Sequence, residues 1–342
     1  MLRTSVLALA FAGAVCSFVP AAHAGKSAGA EAGAPIGPKE VRAWLMRIHA
    51  AASRRNFQGT FIVSAGSGVS SARIAHYNDG HNQFERIESL DGETRFVFRH
   101  NDEVRTLWPE QRVALIEQRD LLTSFPALLQ VSDDRIVDFY EVRARGAERI
   151  AGYEASVLLL RPRDAHRYGY RLWADRATGL LLRADVLDER GELLESSAFS
   201  DVAIDVRSQP ETVLQPMNKL DGYRILRPVL THTRLEAEGW ALRQAVPGFR
   251  LVSCVRRPML DIEPGANTPA LTALQTIYSD GLTYVSVFIE PFDAARHATP
   301  IETSIGATHT LMQRQGEWWI TVVGDVPTTT LRAFATELER AR

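Results

Sequence analysis

The chain has 342 residues, of which 45% are hydrophobic and 23% charged, and its formal net charge at pH 7 is −2. Such a composition is that of an ordinary globular protein, long enough for two domains. The slightly acidic balance excludes a protein that attracts nucleic acid through overall positive charge.

The N-terminal residues indicate export. They begin with Arg3, continue with an apolar run and end on the small-x-small signature Ala22-His23-Ala24. The apolar run is shorter than the roughly 20 residues that span a bilayer. We therefore expect a signal peptide for Sec export over residues 1–24, cleavage after Ala24 and a periplasmic protein. An uncleaved N-terminal anchor is the alternative.

Cysteine usage adds a second constraint. Cys16 lies in the signal peptide, so Cys254 is alone in the exported chain and cannot form an intramolecular disulfide. Because Cys254 lies among Leu251, Val252 and Val255, we interpret it as a small buried apolar residue and not as a reactive thiol.

The first part of the exported chain predicts a helix followed by many strands. Residues 25–38, rich in Gly, Ala and Pro, are expected to be a flexible leader. Val41, Leu45 and Ile48 recur at helical spacing and predict an amphipathic helix over 39–55. Alternating runs bounded by turn residues then predict strands. These runs are 57–65, 70–78, 81–90, 94–100, 103–108, 112–118, 136–150, 153–162, 166–175, 180–189 and 192–203, with a helical or irregular stretch at 121–130.

About eleven antiparallel strands are too many for a flat sheet, so we expect the sheet to curl into a barrel or half-barrel. One face of it is apolar. That face is filled by its own side chains, covered by the helix, or left open as a cavity for an apolar ligand, and the sequence leaves these alternatives open. Residues 39–204 are therefore predicted to be a curled antiparallel half-barrel domain with a helix.

The character of the chain changes after this region. Residues 205–222 lose the alternation and contain Pro210 and Pro216, which is typical of a linker. Residues 223–342 then predict a smaller α+β domain, so the overall fold class is α+β. Its strand candidates are 224–238, 249–257, 277–290, 307–315 and 317–324, and Leu331, Phe334, Ala335 and Leu338 mark a final amphipathic helix.

Motifs for catalysis or metal binding are missing from the sequence. A G-x-S-x-G nucleophile elbow does not occur, and the histidines show neither H-x-H nor H-E-x-x-H spacing. We therefore assign no catalytic, cofactor-binding or metal-binding residue and predict that the protein is not an enzyme. Arginine clusters near element ends could bind anions or a partner, although solvated surfaces explain them equally well. The candidates are Arg161, Arg163, Arg167, Arg256 and Arg257.

Several separate segments resemble one family in the same order along the chain. They cover essentially the whole exported chain. These segments are Phe57–Val63, Arg73–His76, Glu85–Gly92, Tyr168–Phe199, Trp240–Phe249, Tyr278–Gly281 and Ile320–Gly324. The sequence is similar to the MucB/RseB family, periplasmic negative regulators of the envelope-stress sigma factor sigma-E.

This resemblance implies both a fold and a function. The implied fold is a large N-terminal domain like the lipoprotein carriers LolA and LolB, followed by a smaller C-terminal domain. The implied function is to bind the periplasmic segment of a membrane-anchored anti-sigma factor and to protect it from site-1 proteolysis. Lipopolysaccharide or another lipid would compete and release the protein, which is a linkage between two ligands.

Two other functions and several contacts remain open at this point. A periplasmic lipoprotein or lipid carrier is the main alternative, and a secreted hydrolase is the third hypothesis. A homo-oligomer is also open, and we expect no nucleic-acid partner and no cofactor. The interface between the two domains is the preferred place for partner contact. The candidates for lipid contact on the inner face of the sheet are Phe96, Phe98, Trp108, Tyr170 and Leu182.

Overall fold

The computed structural model describes residues 33–118, 135–259, 272–297 and 299–340. The predicted signal peptide, most of the predicted leader and the stretch at 121–130 lie outside these described residues. The described helices are α1 (Pro38–Arg54), α2 (Ile136–Phe139), α3 (Glu211–Asn218) and α4 (Thr328–Glu337).

In the described part of the chain, the first sheet has thirteen strands in the order β1-β8-β9-β10-β11-β12-β2-β3-β4-β5-β6-β7-β13. Its strands are β1 (Ala34–Pro35), β2 (Phe57–Ala65), β3 (Gly68–Asn78), β4 (Gln83–Ser89), β5 (Phe96–His100), β6 (Glu103–Trp108), β7 (Val113–Gln118), β8 (Tyr140–Ile150), β9 (Tyr153–Pro162), β10 (Gly169–Asp175), β11 (Leu181–Leu187), β12 (Leu193–Ile204) and β13 (Arg224–Leu226). All neighbours are antiparallel except β7 and β13, which are parallel.

The second sheet has seven strands among the described residues, in the order β14-β16-β17-β18-β21-β20-β19. They are β14 (Thr231–His232), β16 (Arg250–Pro258), β17 (Thr272–Ser279), β18 (Tyr284–Pro291), β19 (Ile301–Ile305), β20 (Thr308–Gln315) and β21 (Trp318–Gly324). A further short pair joins β15 (Trp240–Leu242) to β22 (Leu338–Arg340).

These elements confirm the predicted α+β class, with a large curled antiparallel sheet, a helix and a smaller second sheet. The predicted bounds of β2, β6 and β9 agree with the structure residue for residue. The prediction of one strand over 224–238 is wrong, because the chain there forms two separate edge strands and a 3-10 turn at Glu236–Glu238. The predicted strand 277–290 is two strands, which meet at a turn containing Asp280.

Helix α1 packs its apolar stripe on one face of the first sheet. Val41, Leu45 and Ile48 are at most 7% exposed and belong to the same buried cluster as Leu158 and Tyr170. Burying such a side chain contributes about 1.5–3 kcal/mol, so this stripe holds the helix in place. We call this side of the sheet the α1 face.

On the opposite face of this sheet, α3 covers strands β3 to β7. This helix lies within the segment predicted to be a linker. Val213 and Met217 of α3 are buried and pack with Tyr77, Phe84 and Phe98. Because α3 has an internal Pro216 and only eight residues, this tertiary packing, and not helix propensity, stabilises it.

Helix α4 covers one face of the second sheet. Leu331 and Phe334 are fully buried against Val287, Val322 and the rest of that core. The predicted final helix is therefore confirmed, except that Leu338 lies in β22 and not in the helix. Its packing leaves the other face of the second sheet available for contact with the first sheet.

Candidate binding surfaces

A buried ion pair joins the two sheets. The side chains of Arg167, which precedes β10, and Asp280, in the turn between β17 and β18, are both 0% exposed. The Arg167 Nη1 lies 3.2 Å from Asp280 Oδ2, and the Tyr140 hydroxyl donates to the same oxygen at 3.1 Å. Burial raises the pKa of Asp280, while Arg167 and two backbone N–H groups act against that rise.

The guanidinium of Arg167 is held on its remaining sides as well. Its Nε donates to Asp164 at 3.0 Å and its Nη2 donates to the Pro247 carbonyl at 2.7 Å. The group also lies 4.4 Å from the ring centroid of Phe139. Gly248, at φ +83°, permits this approach, since an added Cβ would lie 2.5 Å from Nη2. The guanidinium of Arg167 is therefore fixed between the N-terminal part of the chain and two acceptors of the C-terminal part, Asp280 and the Pro247 carbonyl.

Two turns of the second sheet extend the same contact. Leu282 and Ala307 are buried in the core cluster that contains α1 and β8–β11. Nearby, the Tyr168 hydroxyl lies 2.9 Å from His309 Nε2, and the Thr328 hydroxyl lies 2.9 Å from His309 Nδ1. Burial lowers the pKa of His309 and so favours the neutral ring, which can donate a hydrogen bond to one of these hydroxyls and accept one from the other.

The opposite end of the second sheet contacts a different part of the first. Arg257, at the end of β16, lies 3.5 Å from Glu117 of β7 and also donates to Gln275 at 3.0 Å. Strand β7 lies near one end of the strand order, whereas β8–β11 lie near the other. The second sheet therefore bridges the two limbs of the curled first sheet.

Between these contacts, the α1 face contains a groove of about 440 Å³. Its apolar lining includes Phe61, Ile74, Ile87 and Trp108, and Asp91, Glu93 and Arg95 lie at its polar rim. This volume is within the range of pockets that bind small ligands. An apolar floor with a charged rim suits an amphiphile.

The five candidates for lipid contact do not share one face. Paired residues on neighbouring strands point to the same side, and Phe98 pairs with Arg105, so Trp108 points to the opposite side. Trp108, Tyr170 and Leu182 lie on the α1 face, while Phe96 and Phe98 pack with α3. The single inner face assumed for all five is therefore wrong. Of the three on the α1 face, Trp108 lines the groove, whereas Tyr170 and Leu182 are 1% and 0% exposed.

The arginine candidates occupy three different environments. Arg161 and Arg163 are exposed on the surface. Arg167 is buried, and the anion that it binds is Asp280 of the same chain. Arg256 is exposed and pairs with Glu238 at 2.6 Å, and Arg257 is half-buried beside Glu117. These arginines therefore do not form one patch.

Sequence reasoning missed a row of buried polar residues on the α1 face. In the strand register, His76 of β3 lies opposite Glu85 of β4, and Glu85 lies opposite Arg99 of β5. The three are 0–3% exposed. Burial raises the pKa of Glu85 to about 7 and lowers that of His76 to about 4. Ile87 and Ile74 follow on the same strands, so this row adjoins the groove.

Cys254 is buried on β16, as its apolar neighbours predicted. Burial raises the pKa of its thiol to about 11, so roughly one thiol in a thousand is a thiolate at pH 8. We expect almost no reaction with an aromatic disulfide reagent in the native state and one full equivalent in denaturant. Rapid labelling of the native protein would contradict this buried position.

Two other kinds of site are absent from the described ranges. No three His, Cys, Asp or Glu side chains there are arranged to hold a metal ion. No helix in those ranges is long and apolar enough to cross a membrane.

Two family models match the chain over most of its length. The model of the MucB/RseB N-terminal domain matches residues 40–217, and the model of the MucB/RseB C-terminal domain matches residues 234–339. The chain belongs to the MucB/RseB family. The N-terminal match of this family ends inside α3, and the C-terminal match covers α4 and almost all of the second sheet.

Members of the MucB/RseB family with assigned roles match nearly the full chain. The sigma factor AlgU regulatory protein MucB of Pseudomonas aeruginosa is 30% identical over 306 residues, which are 85% of this chain and 88% of that protein. The sigma-E factor regulatory protein RseB of Escherichia coli K12 is 27% identical over 299 residues, covering 87% of this chain and 90% of that protein. The relatives are thus regulatory proteins.

Solved structures of the same family extend the comparison. A complex of Pseudomonas aeruginosa MucA and MucB has a TM-score of 0.66 and 26% identity, and it covers 89% of this chain and 99% of that chain. MucB in complex with MucA(peri) has a TM-score of 0.64 and 26% identity, covering 88% and 98%.

Proposed function

We propose that this protein is a periplasmic negative regulator that binds the periplasmic segment of a membrane-anchored anti-sigma factor. Binding would protect the segment from site-1 proteolysis and keep the sigma factor captive. The observation that carries this proposal is the likeness to MucB in its complexes with MucA, which extends over nearly the whole of both chains. The predicted signal peptide, with cleavage after Ala24, would bring the protein to the same side of the membrane as such a segment.

The arrangement of the two sheets supports release by lipid. Residues 39–204 and 223–342 would act as two domains joined by 205–222. The second domain touches both limbs of the first, through Asp280 at one end and Arg257 at the other. A lipid in the groove between those limbs would alter their spacing and therefore the second domain's position. A lipid that favours the free protein must weaken partner binding by the same coupling free energy.

Lipopolysaccharide is the ligand that this proposal names, because it combines acyl chains with phosphates. Its acyl chains would contact Trp108 and the other apolar side chains of the groove, and Arg95 at the rim could bind a phosphate. The remaining lipid-contact candidates, Phe96, Phe98, Tyr170 and Leu182, do not line the groove and are not part of this proposal.

The direct test uses the purified mature protein and the periplasmic segment of a MucA-like anti-sigma factor from the same organism. We expect a stable complex, slower cleavage of the segment by its site-1 protease, and loss of both effects as lipopolysaccharide is added. A protein that neither binds the segment nor slows its cleavage contradicts the proposal.

The groove itself is tested by Trp108→Ala. Removing the indole takes apolar contact from the lipid and not from the partner, so lipopolysaccharide should compete about tenfold less effectively. Affinity for the segment without lipid should stay unchanged. Val69→Ala is the control, because Val69 is 68% exposed and lies outside the groove lining. Equal competition curves for both variants would place the lipid elsewhere.

The groove also favours a second candidate, a periplasmic lipid or lipoprotein carrier. A carrier would move a fluorescent acyl lipid between vesicles in the absence of any anti-sigma segment. A regulator would be released by lipid but would not accelerate that transfer.

A further inference from the structure

Strand β19 is a long exposed edge of the second sheet. In the described part of the chain the two large sheets end in four edge strands. Strands β1 and β14 have two residues and β13 has three, whereas β19 has five. Very short edge strands limit unwanted pairing with other chains, so three of the four edges are protected in this way and β19 is not.

Three further protective devices, proline, lysine and a β-bulge, are missing from β19. The strand contains neither proline nor lysine, and its register with β20 has no bulge. All five residues are exposed, and Ile301 and Ile305 are 47% and 73% exposed. A flat edge with apolar side chains is a template for one more strand.

The register of the β19–β20 hairpin determines which backbone groups of β19 are not bonded to β20. Gly306, at φ +58°, and Ala307 form a two-residue turn between β19 and β20. In such a hairpin the residues next to the turn exchange hydrogen bonds, and bonded pairs then alternate. Residues 301, 303 and 305 therefore bond to β20. The N–H and C=O groups of Glu302 and Ser304 point away from the sheet.

The side chains of this edge define the partner. Glu302 is held by two guanidinium nitrogens of Arg332 at 2.8–3.1 Å, so its charge is already paired. Ile301, Thr303 and Ile305 lie on the opposite side of the strand. An added strand would therefore meet neutral side chains on that side and needs apolar residues at alternate positions to cover the two isoleucines.

We propose that β19 binds an extended stretch of the anti-sigma factor's periplasmic segment as an eighth strand of the second sheet. This inference rests on the proposed function and assigns a surface to it. A second copy of the protein is a poorer occupant, because pairing along five residues falls far below the about 20–30 residues a side of a stable interface. A segment that binds in extended form could continue beyond β19 onto neighbouring surfaces.

The test removes one backbone donor and keeps the side chain small. Proline at position 304 lacks the outward N–H but costs no hydrogen bond to β20, and edge strands tolerate proline at such positions. We expect Ser304→Pro to weaken binding of the periplasmic segment at least about tenfold, and the matched Ser304→Ala to change it less than about twofold. Measuring the melting temperatures of the two variants checks that both are folded.

Hydrogen exchange on the wild-type protein gives a second readout that does not depend on any variant. On adding the segment, the amides of Glu302 and Ser304 should become protected, while that of Thr303, already bonded to β20, should change little. Equal affinities of the two Ser304 variants, or no alternation in protection, would overturn the edge proposal and leave the proposed function standing. Loss of self-association in Ser304→Pro without loss of segment affinity would overturn it as well. Failure of the wild-type protein to bind the segment would overturn both.

Discussion

Replacing Arg167 with methionine is expected to lower the free energy of unfolding by about 3–5 kcal/mol. The substitution leaves Asp280 fully buried without its cationic partner, and that loss exceeds anything the methionine gains by packing. It also removes the donor to the Pro247 carbonyl, so a second contact between Arg167 and the C-terminal part of the chain is lost. Equilibrium unfolding in urea, followed by tryptophan fluorescence, measures the change.

Two further variants separate the buried charge from general damage. Arg161→Met alters an exposed arginine six positions away and should change stability by no more than about 0.5 kcal/mol. The double variant Arg167→Met with Asp280→Asn removes both charges and keeps an amide oxygen for the N–H groups of Leu282 and Thr283. It should be more stable than Arg167→Met alone. A double variant that is less stable than the single one would contradict the unpaired-charge explanation.

The elements that sequence reasoning predicted well are those with strong local patterns. The stripe of α1 and the turn-bounded alternation of β2 through β12 depend on neighbours within a few residues, and the strand count alone required a curled sheet. Helix α3 was not foreseen, because its burial against Phe98 depends on residues about a hundred positions away. The edge strand β19 was missed because nothing in its five exposed residues distinguishes it from a loop.

The candidate sites show why side-chain roles were harder to foresee. Which face a strand residue occupies depends on its register with the neighbouring strand, and a shift of one residue reverses it. This is why Phe98 and Trp108 were placed together although they lie on opposite faces. Likewise, Arg167 was one of several candidates for binding an anion or a partner, but the anion that it binds, Asp280, is 113 residues away in the sequence.

Glu85 and His76 should impose opposite pH dependences on stability. Burial raises the pKa of Glu85 from 4.5 to about 7, so the folded protein keeps a proton that the unfolded chain releases. The contribution of Glu85 to the free energy of unfolding therefore falls as pH rises from 4.5 to 7, by on the order of 3 kcal/mol. Burial lowers the pKa of His76 from 6.5 to about 4, so its contribution rises with pH between 4 and 6.5 by a similar amount. The two slopes largely cancel in the range that they share.

The substitution Glu85→Gln should therefore expose the slope of His76. We expect this variant to be more stable than the wild-type protein at pH 8, because no buried carboxylate has to form there, and to lose stability steeply below pH 6.5. Urea unfolding at intervals from pH 5 to pH 8 measures both effects. The exposed Glu189→Gln is the matched control and should follow the wild-type curve. If Glu85→Gln also follows that curve, Glu85 is ionised in the folded protein at every pH tested, and Arg99, its pairing neighbour on β5, compensates its charge fully.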